Sequence, residues 1–322
     1  MKVNCENKEF VDVIITTCNR PQFISEAIET VINQTYNFLK IIVVDDGSIS
    51  ASDNCTAIKK NFQKKYIFLQ ANRLFSADET NKILKNKIIY FYYIYQKNSG
   101  ISQARNTGIK LSKSEYIAFL DDDNLWHKNK IAKQMEILKN TRYKVCYTNE
   151  KWLKNGRHLN QCKKHKKYSG DIFAYTLPLC IISASSILLK KSVINKIGIF
   201  DSNFIVCEDY EYWLRLTFNY AVYFIDEQLI IKRGGHNCQL SKRYFAMDRF
   251  RLAALLKFLN MHWNLLTDEL KKIIVAELQK KSKILYMGYL KRGKINESEI
   301  YRKICECQDY CDLSKNWRDI LQ

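Results

Sequence analysis

The sequence predicts an α/β fold in which helices flank a mostly parallel central sheet. Residues 11–16 and 41–44 are β-branched runs of strand length, and the segment between them has the apolar spacing of a helix. This order is a βαβ unit, whose two strands are parallel and whose crossover is right-handed. Apolar runs at 88–95 and 116–120 enclose a helical segment at 102–111. The repeated alternation of strand and helix therefore predicts the doubly wound class.

The first predicted helix follows Asn19-Arg20-Pro21, which ends the first strand. Its apolar residues recur at the spacing of one helical face, so we expect that face to be buried against the sheet. They are Ile24, Ala27, Ile28, Val31 and Ile32.

The character of the sequence changes after Gly235. Residues 242–322 read as successive amphipathic helices, one of them starting near Thr267 as N-cap with Asp268 and Glu269 in its first turn. We therefore predict a nucleotide-binding and catalytic domain at 1–240 and a basic helical extension at 241–322. Residues 151–167 contain seven Lys or Arg and no acid, which predicts a basic loop or extension.

Composition limits the class of protein. A chain of 322 residues with 47% apolar residues can bury a substantial core, which excludes a disordered chain. The net charge of +19 favours an anionic partner such as a phosphate, a nucleic acid or an acidic lipid. A general bias of composition towards Lys, Asn and Ile explains the same charge without any partner.

The sequence contains no apolar run of membrane-spanning length and no signal-peptide pattern at its start. We expect a cytoplasmic protein, with contact to the inner face of the cytoplasmic membrane left open. The 11 cysteines are spread along the chain, which favours reduced thiols. Cys305, Cys307 and Cys311 lack the paired spacing of a zinc site.

Polar clusters follow three of the predicted strands, at 16–20, 45–48 and 121–124. In parallel α/β sheets, ligands bind beyond the carboxyl ends of the strands. The agreement between pattern and fold class predicts a binding site there.

Asp121, Asp122 and Asp123 follow the strand at 116–120 directly. Adjacent carboxylates repel one another, and a divalent cation such as Mg²⁺ or Mn²⁺ would neutralise them. Alternate residues of an extended segment point the same way, so Asp121 and Asp123 can share one ion. The alternative is an acidic turn in which Asp123 or Asn124 caps the following helix.

Three other groups each have a structural and a functional interpretation. Asp45 and Asp46 could belong to a tight turn, or their carboxylates could accept hydrogen bonds from a uracil ring and from ribose hydroxyls. Glu208 and Asp209 could compensate the dipole at the start of a helix, or one of them could act as a general base. His236, after two glycines, fits a structural histidine or a metal ligand.

Taken in order, six blocks of the sequence resemble the family-2 glycosyltransferases of the GT-A fold. The resemblance covers about residues 10–240, and the joint order and spacing of the blocks is specific. The blocks are VDVIITTCNRP, IIVVDDGS, NSGISQARNTGI, YIAFLDDDNLW, FDSNFIVCEDYEYWLRL and IKRGGHNCQLS.

The resemblance implies roles for the candidate residues. Asp46 and the Thr16-Thr17 segment would hold the nucleotide base, Arg105 would lie near the donor, and the DxD residues would bind ribose and metal-diphosphate. Asp209 would deprotonate the acceptor hydroxyl, and His236 would approach the metal. The expected nucleotide-sugar-binding residues are Thr16, Thr17, Asn19, Arg20, Asp45, Asp46, Arg105, Asp121 and Asp122. The expected metal ligands are Asp121, Asp123 and His236, and the expected catalytic pair is Asp209 with Glu208.

The implied function is a metal-dependent, inverting transfer of a sugar from a nucleotide-sugar donor to a glycan or lipid-linked acceptor. Mn²⁺ or Mg²⁺ would be the cofactor, UDP the default nucleotide, and cell-surface polysaccharide or lipopolysaccharide synthesis the setting. The alternative is a basic nucleic-acid- or nucleotide-binding protein without transferase activity, although no nucleic-acid-binding motif is present. A sugar nucleotidyltransferase is disfavoured because no Gly-rich loop follows the first strand. Departures from the family are Cys18 in place of an aromatic residue, Asn124 in place of an acid, and a long 50–88 segment.

Overall fold

The structure, a computed structural model, describes residues 9–49, 67–70, 88–236 and 244–321. For residues 67–70 and 88 it describes the backbone alone. Most of the long 50–88 segment, and the NCQLS end (237–241) of the sixth sequence block, therefore lie outside the described residues.

The described strands form one mixed sheet with the order β3-β4-β2-β1-β5-β9-β7-β10-β6, and β8 pairs with β7. Neighbours from β3 to β5 along this order are all parallel. The predicted α/β class with a mostly parallel sheet is therefore confirmed. The strands are β1 (Val11–Thr17), β2 (Phe38–Asp46), β3 (Ile67–Gln70), β4 (Ile88–Gln96), β5 (Tyr116–Asp121), β6 (Leu125–Trp126), β7 (Val145–Lys154), β8 (Arg157–Leu159), β9 (Leu188–Lys190) and β10 (Tyr223–Gly234).

The helices are close to those predicted in the first half of the chain. The first helix buries the five apolar residues that the sequence assigned to its inner face. The α-helices are α1 (Pro21–Ile32), α2 (Ile101–Leu111), α3 (Lys130–Asn140), α4 (Phe173–Thr176), α5 (Lys191–Ile197), α6 (Glu208–Asn219), α7 (Asp248–His262), α8 (Asp268–Leu290), α9 (Ile295–Glu306) and α10 (Tyr310–Leu313).

The chain divides into two compact units. The first contains residues 1–171, 182–200 and 220–236, and therefore the whole sheet. The second contains residues 172–181, 201–219 and 237–322. The division at residue 240 stays a prediction about domains; in the structure, two earlier segments also belong to the second unit.

A buried carboxylate holds β1 to the turn before β5. Asp12 is fully buried, and it accepts hydrogen bonds from the hydroxyls of Ser112 and Ser114 (both 2.6 Å) and from the backbone N–H groups of Lys113 (2.8 Å) and Ser114 (2.9 Å). With four donors the carboxylate is well compensated for its burial. These contacts fix the register of the two central strands, whose carboxyl ends carry polar clusters.

The basic 151–167 tract is not simply a loop. Lys151 to Lys154 end β7, and the chain then reverses through Asn155 and Gly156, both at positive φ, into β8. An Asn-Gly turn of this kind matches the twist of a two-residue hairpin. The sequence contained this signal, but the density of lysines obscured it.

The alternative in which Asp123 or Asn124 caps a helix is wrong. The following helix, α3, begins at Lys130, with Asn129 as its N-cap residue. Between the acids and α3, Leu125 and Trp126 form a short strand that pairs with β10. Tertiary pairing therefore separates the acidic cluster from the helix.

The second unit has its own apolar core, formed by α4, α6 and the C-terminal helices. Thr267 caps α8 as predicted, since its side chain accepts a hydrogen bond from the N–H of Leu270 (3.3 Å). Phe204 stacks on Trp317, with ring centroids 5.6 Å apart, and so links an early segment of this unit to its C-terminal end. No described helix is both long enough and apolar enough to cross a membrane. The cysteines among the described residues are all free thiols.

Candidate functional site

The polar clusters that follow β1, β2 and β5 meet at one edge of the sheet. In the register of the parallel strands, Thr16 lies opposite both Val44 and Asp121. The carboxyl ends of the three strands therefore reach the same level, as parallel pairing requires. The loops after these strands are consequently within reach of one another.

Each of the three consecutive aspartates has its own arrangement of partners. Asp121 accepts from Arg105 Nη2 (2.9 Å). Asp122 accepts from Arg20 Nη1 (2.9 Å) and from the Thr17 hydroxyl (2.7 Å). Asp123 accepts from the same Arg20 nitrogen (3.2 Å). The structure therefore brings Thr17, Arg20 and Arg105 to the acidic triplet, as the sequence predicted for a common site.

The triplet carries its negative charge unevenly. Burial alone would raise the pKa of Asp121, but Arg105 holds that pKa below its usual value. Burial raises the pKa of Asp122 to about 7, although Arg20 acts against it. Burial also raises the pKa of Asp123, and the charge of Asp121 adds to this. Burial thus disfavours the charged forms of Asp122 and Asp123, and a cation nearby would favour them.

Asp123 also contacts His236, which follows β10. The Nε2 of His236 lies 3.0 Å from Asp123 Oδ2, and the imidazole packs on Phe23, with ring centroids 5.1 Å apart. The Nδ1 of His236 is buried and has no hydrogen-bond partner among the described residues. Arg233 donates to the backbone oxygen of Asp123 (2.5 Å) and binds Glu26, and these contacts hold the end of β10 against the triplet.

The donor set at Asp123 fits an open divalent-metal site. A carboxylate oxygen and an imidazole nitrogen already lie 3.0 Å apart, at a carboxylate whose pKa burial raises. Within the described ranges, no group of three or more His, Cys, Asp or Glu side chains forms a closed metal site. Magnesium-type ions often take one or two protein ligands and complete their shell with water and substrate phosphates. Asp123 and His236 match that pattern.

Asp45 and Asp46 are occupied by their own loops. Asp45 accepts from the N–H of Ser48 (3.0 Å) and the hydroxyl of Tyr93 (2.6 Å). Asp46 accepts from the N–H groups of Ser99 and Gly100 (both 2.9 Å), and from a Gln96 amide. These bonds fix the loop between β4 and α2, beside the site. The predicted contact of Asp45 and Asp46 with a nucleotide stays a prediction.

Two backbone features shape the same edge. Gly47 has φ +80°, and a Cβ at this position would lie 2.5 Å from the backbone nitrogen of Asn98. Glycine is therefore required by both conformation and space. Asn19 also has positive φ, and it joins the loops after β1 and β2: its N–H donates to Ser48 Oγ (2.7 Å) and its side-chain oxygen accepts from the N–H of Ile49 (2.8 Å).

Sequence reasoning missed Ser185 as a member of this cluster. Its hydroxyl accepts from the N–H of Asp121 (3.1 Å) and from the Asn124 amide (2.9 Å), and it lies 3.2 Å from Asp121 Oδ2. Ser185 comes 64 residues later in the chain, in a stretch that reads only as apolar with scattered serines. No local signal marked it, because its role depends on the antiparallel return of the chain at β9.

Glu208 and Asp209 belong to the second unit, where they open α6. Cys207 before them has φ +58°, an uncommon conformation for a residue with a side chain. Glu208 is buried, whereas Asp209 is half-buried and accepts a hydrogen bond from the thiol of Cys180 (3.4 Å). Asp209 is therefore the more accessible carboxylate of the pair.

The rest of α6 is held by an ion-pair network. Arg215 donates to both carboxylate oxygens of Glu211 (2.8 Å each), and Lys257 lies 2.6 Å from Glu211 and 2.7 Å from Asp201. A bidentate, buried pair of this kind orients a helix more firmly than an exposed ion pair. Of the three acids in the first turn of α6, Glu208 and Glu211 are buried, Glu211 within this network, and Asp209 is the more accessible.

Comparison with known proteins identifies a family. The model for "Glycosyl transferase family 2" matches residues 12–198. An uncharacterized glycosyltransferase of Rickettsia typhi is 30% identical over 235 residues, which is 71% of this chain and 65% of that protein. The chain thus covers less than two thirds of the length of this and several other curated relatives. A UDP-Glc:α-D-GlcNAc-diphosphoundecaprenol β-1,3-glucosyltransferase of Escherichia coli is 26% identical over 258 residues, covering 80% of this chain and 85% of that one.

Solved structures share the fold. S. aureus TarS in complex with UDP-GlcNAc matches with a TM-score of 0.57 at 16% identity, covering 93% of this chain and 91% of that one. A mannosyltransferase from Pyrobaculum calidifontis in complex with GDP-Man and Mn²⁺ matches with a TM-score of 0.54 at 13% identity, covering 97% and 84%. These similarities establish a GT-A architecture for this chain.

The bonds of Asp46 make a test of the site's loop structure. Asp46→Ala removes the acceptor of two backbone N–H groups, and hydrogen bonds to a charged group each contribute about 1.5–3 kcal/mol. We expect hydrogen–deuterium exchange at residues 97–100 to accelerate at least about tenfold. Glu29→Ala, which removes an exposed carboxylate of α1, is the matched control. Unchanged exchange in Asp46→Ala would show that other contacts hold this loop.

Proposed function

Because the chain belongs to glycosyl transferase family 2, we propose that it transfers a sugar from a nucleoside-diphosphate donor to a hydroxyl group of a glycan or lipid-linked acceptor. The observation that carries the proposal is the acidic triplet at the end of β5, surrounded by Arg20, Arg105 and His236. Such a cluster combines carboxylates for a cation with fixed positive charges for a diphosphate. It lies where ligands bind in parallel α/β sheets.

We propose UDP as the nucleotide of the donor. Support comes from two sides: the printed name of the Escherichia coli relative specifies UDP-Glc, and the TarS structure of similar fold holds UDP-GlcNAc. In this chain, the guanidinium groups of Arg20 and Arg105 provide positive charge at the triplet. Positive charge placed beforehand stabilises the negative charge that grows on a departing diphosphate. Thr16, Thr17, Asn19, Asp45 and Asp46 complete the proposed nucleotide pocket.

Asp123 and His236 are the proposed ligands of Mg²⁺ or Mn²⁺, with Asp121 beside them. When bound, such an ion acts as a Lewis acid on phosphate oxygens and offsets leaving-group charge. Asp122 lies deeper, with only 2% of its surface exposed, between Thr17 and Arg20. Its proposed task is to hold the guanidinium of Arg20 in place.

Asp209 is the proposed general base, and Glu208 is its buried neighbour. As the acceptor oxygen attacks the anomeric carbon, the Asp209 carboxylate takes the proton of that hydroxyl. The bond from the anomeric carbon to the diphosphate oxygen breaks, and the leaving group keeps the electron pair. A single displacement inverts the configuration and needs no covalent enzyme intermediate.

The proposal can be tested first on the donor. Purified protein with Mn²⁺ or Mg²⁺ should bind UDP in calorimetry and slowly release nucleoside diphosphate from one member of a panel of UDP-, dTDP- and GDP-sugars. We expect Asp123→Ala to lower that release at least about 100-fold, because leaving-group stabilisation by a metal contributes several kcal/mol. Glu136→Ala, an exposed substitution in α3 of the same unit, should behave as the wild type. If the metal-loaded protein bound no nucleotide, the transferase proposal would be wrong, and a non-catalytic basic protein would be favoured.

A second test addresses the base. With a short-chain GlcNAc-diphospho-lipid as acceptor, Asp209→Asn should reduce transfer by about 10²–10⁴-fold, the usual contribution of general-base catalysis. UDP affinity in calorimetry should change less than about twofold. Asp319→Asn, an exposed substitution in the same unit, is the control. Normal turnover by Asp209→Asn would assign the proton transfer to another group.

We propose that the acceptor is lipid-linked and that the protein works at the anionic surface of the cytoplasmic membrane, in cell-surface polysaccharide synthesis. The Escherichia coli relative acts on a diphosphoundecaprenol-linked sugar. In this chain, the C-terminal half of α8 exposes Ile284, Met287 and Leu290, with 54%, 43% and 41% of their surfaces accessible. Their spacing places them on one outer face of the helix.

Positive charge surrounds this apolar face. Residues 278–296 contain six Lys or Arg and no acid. Lys281 is buried against Glu277 and Asp248, whereas Lys280, Lys283, Lys291 and Lys294 are exposed. An apolar stripe flanked by lysines matches the composition of helices that lie in the interface of anionic bilayers. Each cation near such a surface contributes about 1 kcal/mol.

Vesicle sedimentation tests this surface. We expect the protein to bind vesicles of phosphatidylglycerol and phosphatidylcholine, to leave them in moderate salt, and to ignore pure phosphatidylcholine. The double variant Met287→Glu/Leu290→Glu should bind at least about tenfold more weakly, because it places charge on the apolar stripe. Ile300→Glu, at an exposed isoleucine of α9, is the matched control. Equal binding by the double variant and the control would show that α8 does not face the lipid.

A further inference from the structure

A cleft at the β7–β8 hairpin is separate from the acidic triplet. Its volume is about 200 Å³, and it lies between the end of β7, the segment after β8, and Gln228 of β10. Its wall includes two side chains with apolar surface, Trp152 and the exposed Leu159, and amide groups of which Gln161 is one. Pockets that bind small molecules combine apolar surface with a few fixed polar groups in this way.

The most unusual residue of the wall is Glu150. It is 3% exposed, and its Oε1 accepts from Trp152 Nε1 (2.9 Å) and lies 3.3 Å from Lys167 Nζ. Its Oε2 is buried and has no hydrogen-bond partner among the described residues. Burial would raise the pKa of Glu150, but Lys167 and Lys232 hold it below its usual value. A charged oxygen without a donor is costly inside a protein, and Glu150 is one of the residues that line the cleft.

The backbone is built around the cleft. The pairing of β10 with β7 shifts register on both sides of Gln228, which pairs with Asn149. Asn149 Oδ1 accepts from the N–H of Glu150 (2.9 Å), and Gln161 donates to the carbonyl oxygen of Glu150 (2.6 Å). Strand irregularities of this type redirect side chains and recur beside binding sites.

Charge decides which ligand fits. Ammonium groups are disfavoured, because Lys167 and Lys232 already compensate Glu150, and the surrounding 151–167 tract contains seven Lys or Arg and no acid. A phosphate in the cleft would meet the carboxylate of Glu150. A neutral ring with several hydroxyls meets neither penalty: it can donate to Glu150, exchange hydrogen bonds with the amides, and cover Trp152 and Leu159 with its C–H surface.

The hairpin is joined to the segment that carries His236. The N–H of Asn155 donates to the carbonyl oxygen of Gly234 (3.0 Å), and Gly235 packs so closely on Asn155 that a Cβ there would lie 2.1 Å from its side-chain oxygen. His236 follows directly. The cleft and the acidic triplet therefore share one structural support within the first unit.

From these observations we infer that the β7–β8 cleft is a sugar-binding subsite, which holds a neutral, non-reacting sugar ring of the acceptor. Glu150 accepts from its hydroxyls, and Trp152 and Leu159 cover its apolar face. The inference rests on the proposed transferase function, since only an acceptor with more than one sugar would use the cleft.

Saturation-transfer NMR tests the subsite directly. The probes are the methyl glycosides of glucose, galactose and N-acetylglucosamine, offered to the protein with saturating UDP and Mg²⁺, which is diamagnetic, so that the donor pocket is filled. We expect at least one glycoside to show a saturation-transfer signal, which reports its binding to the protein. The apparent Kd should rise at least about tenfold in Glu150→Gln, which replaces the unpaired acceptor, and in Gln228→Ala, which removes an exposed amide of the cleft wall. Asn195→Ala, on the outside of α5, should leave it unchanged.

The outcomes separate the subsite from the proposed function. The subsite is overturned if no glycoside gives a saturation-transfer signal. It is also overturned if the signal is equal in the wild type and both cleft variants. UDP binding in calorimetry is measured on the same samples: if it persists while the glycoside signal is absent, only the subsite is lost. If glycoside binding depends on Glu150 and Gln228 but UDP does not bind, the cleft is a sugar site and the transferase proposal fails.

Discussion

The neutralisation of three adjacent carboxylates at the end of β5 is the constraint on which the site depends. Asp121, Asp122 and Asp123 cannot be packed together without positive charge. The structure meets this need with Arg105 from α2 and Arg20 from the loop after β1, while the imidazole of His236 after β10 lies 3.0 Å from Asp123. The triplet thus gathers three distant segments at a single edge of the sheet. Burial and the charge of Asp121 still raise the pKa of Asp123.

The loops around the triplet are positioned by a second set of carboxylates. Asp45 and Asp46 bind hydroxyl and backbone N–H groups of neighbouring segments. Gly47 allows the close approach of Asn98 that this arrangement needs. A motif with acids at a strand end therefore serves the backbone as well as any ligand, because backbone donors near a binding edge must themselves be satisfied.

The basic character of the chain has more than one local meaning. In the 151–167 tract, Lys167 lies beside a buried carboxylate, and Lys151 and Lys154 lie in a strand. In α8, Lys281 is buried against two half-buried acids, Glu277 and Asp248, while its neighbours stay exposed beside an apolar stripe. A net charge of +19 therefore combines structural pairs with free surface charge, and only the second kind is available to an anionic partner.

By itself, the sequence determined the α/β class, the first strands and helices, the capped start of α8 and the edge of the sheet where polar groups gather. It could do so because strand and helix periodicities and capping residues are local signals. Tertiary structure alone decided that Ser185 joins Asp121 and that Leu125 and Trp126 form a strand instead of a helix start. It also decided that Glu150 borders a cleft. Each of these depends on pairing between segments far apart in the chain, and such pairing leaves no periodic trace in the residues that take part.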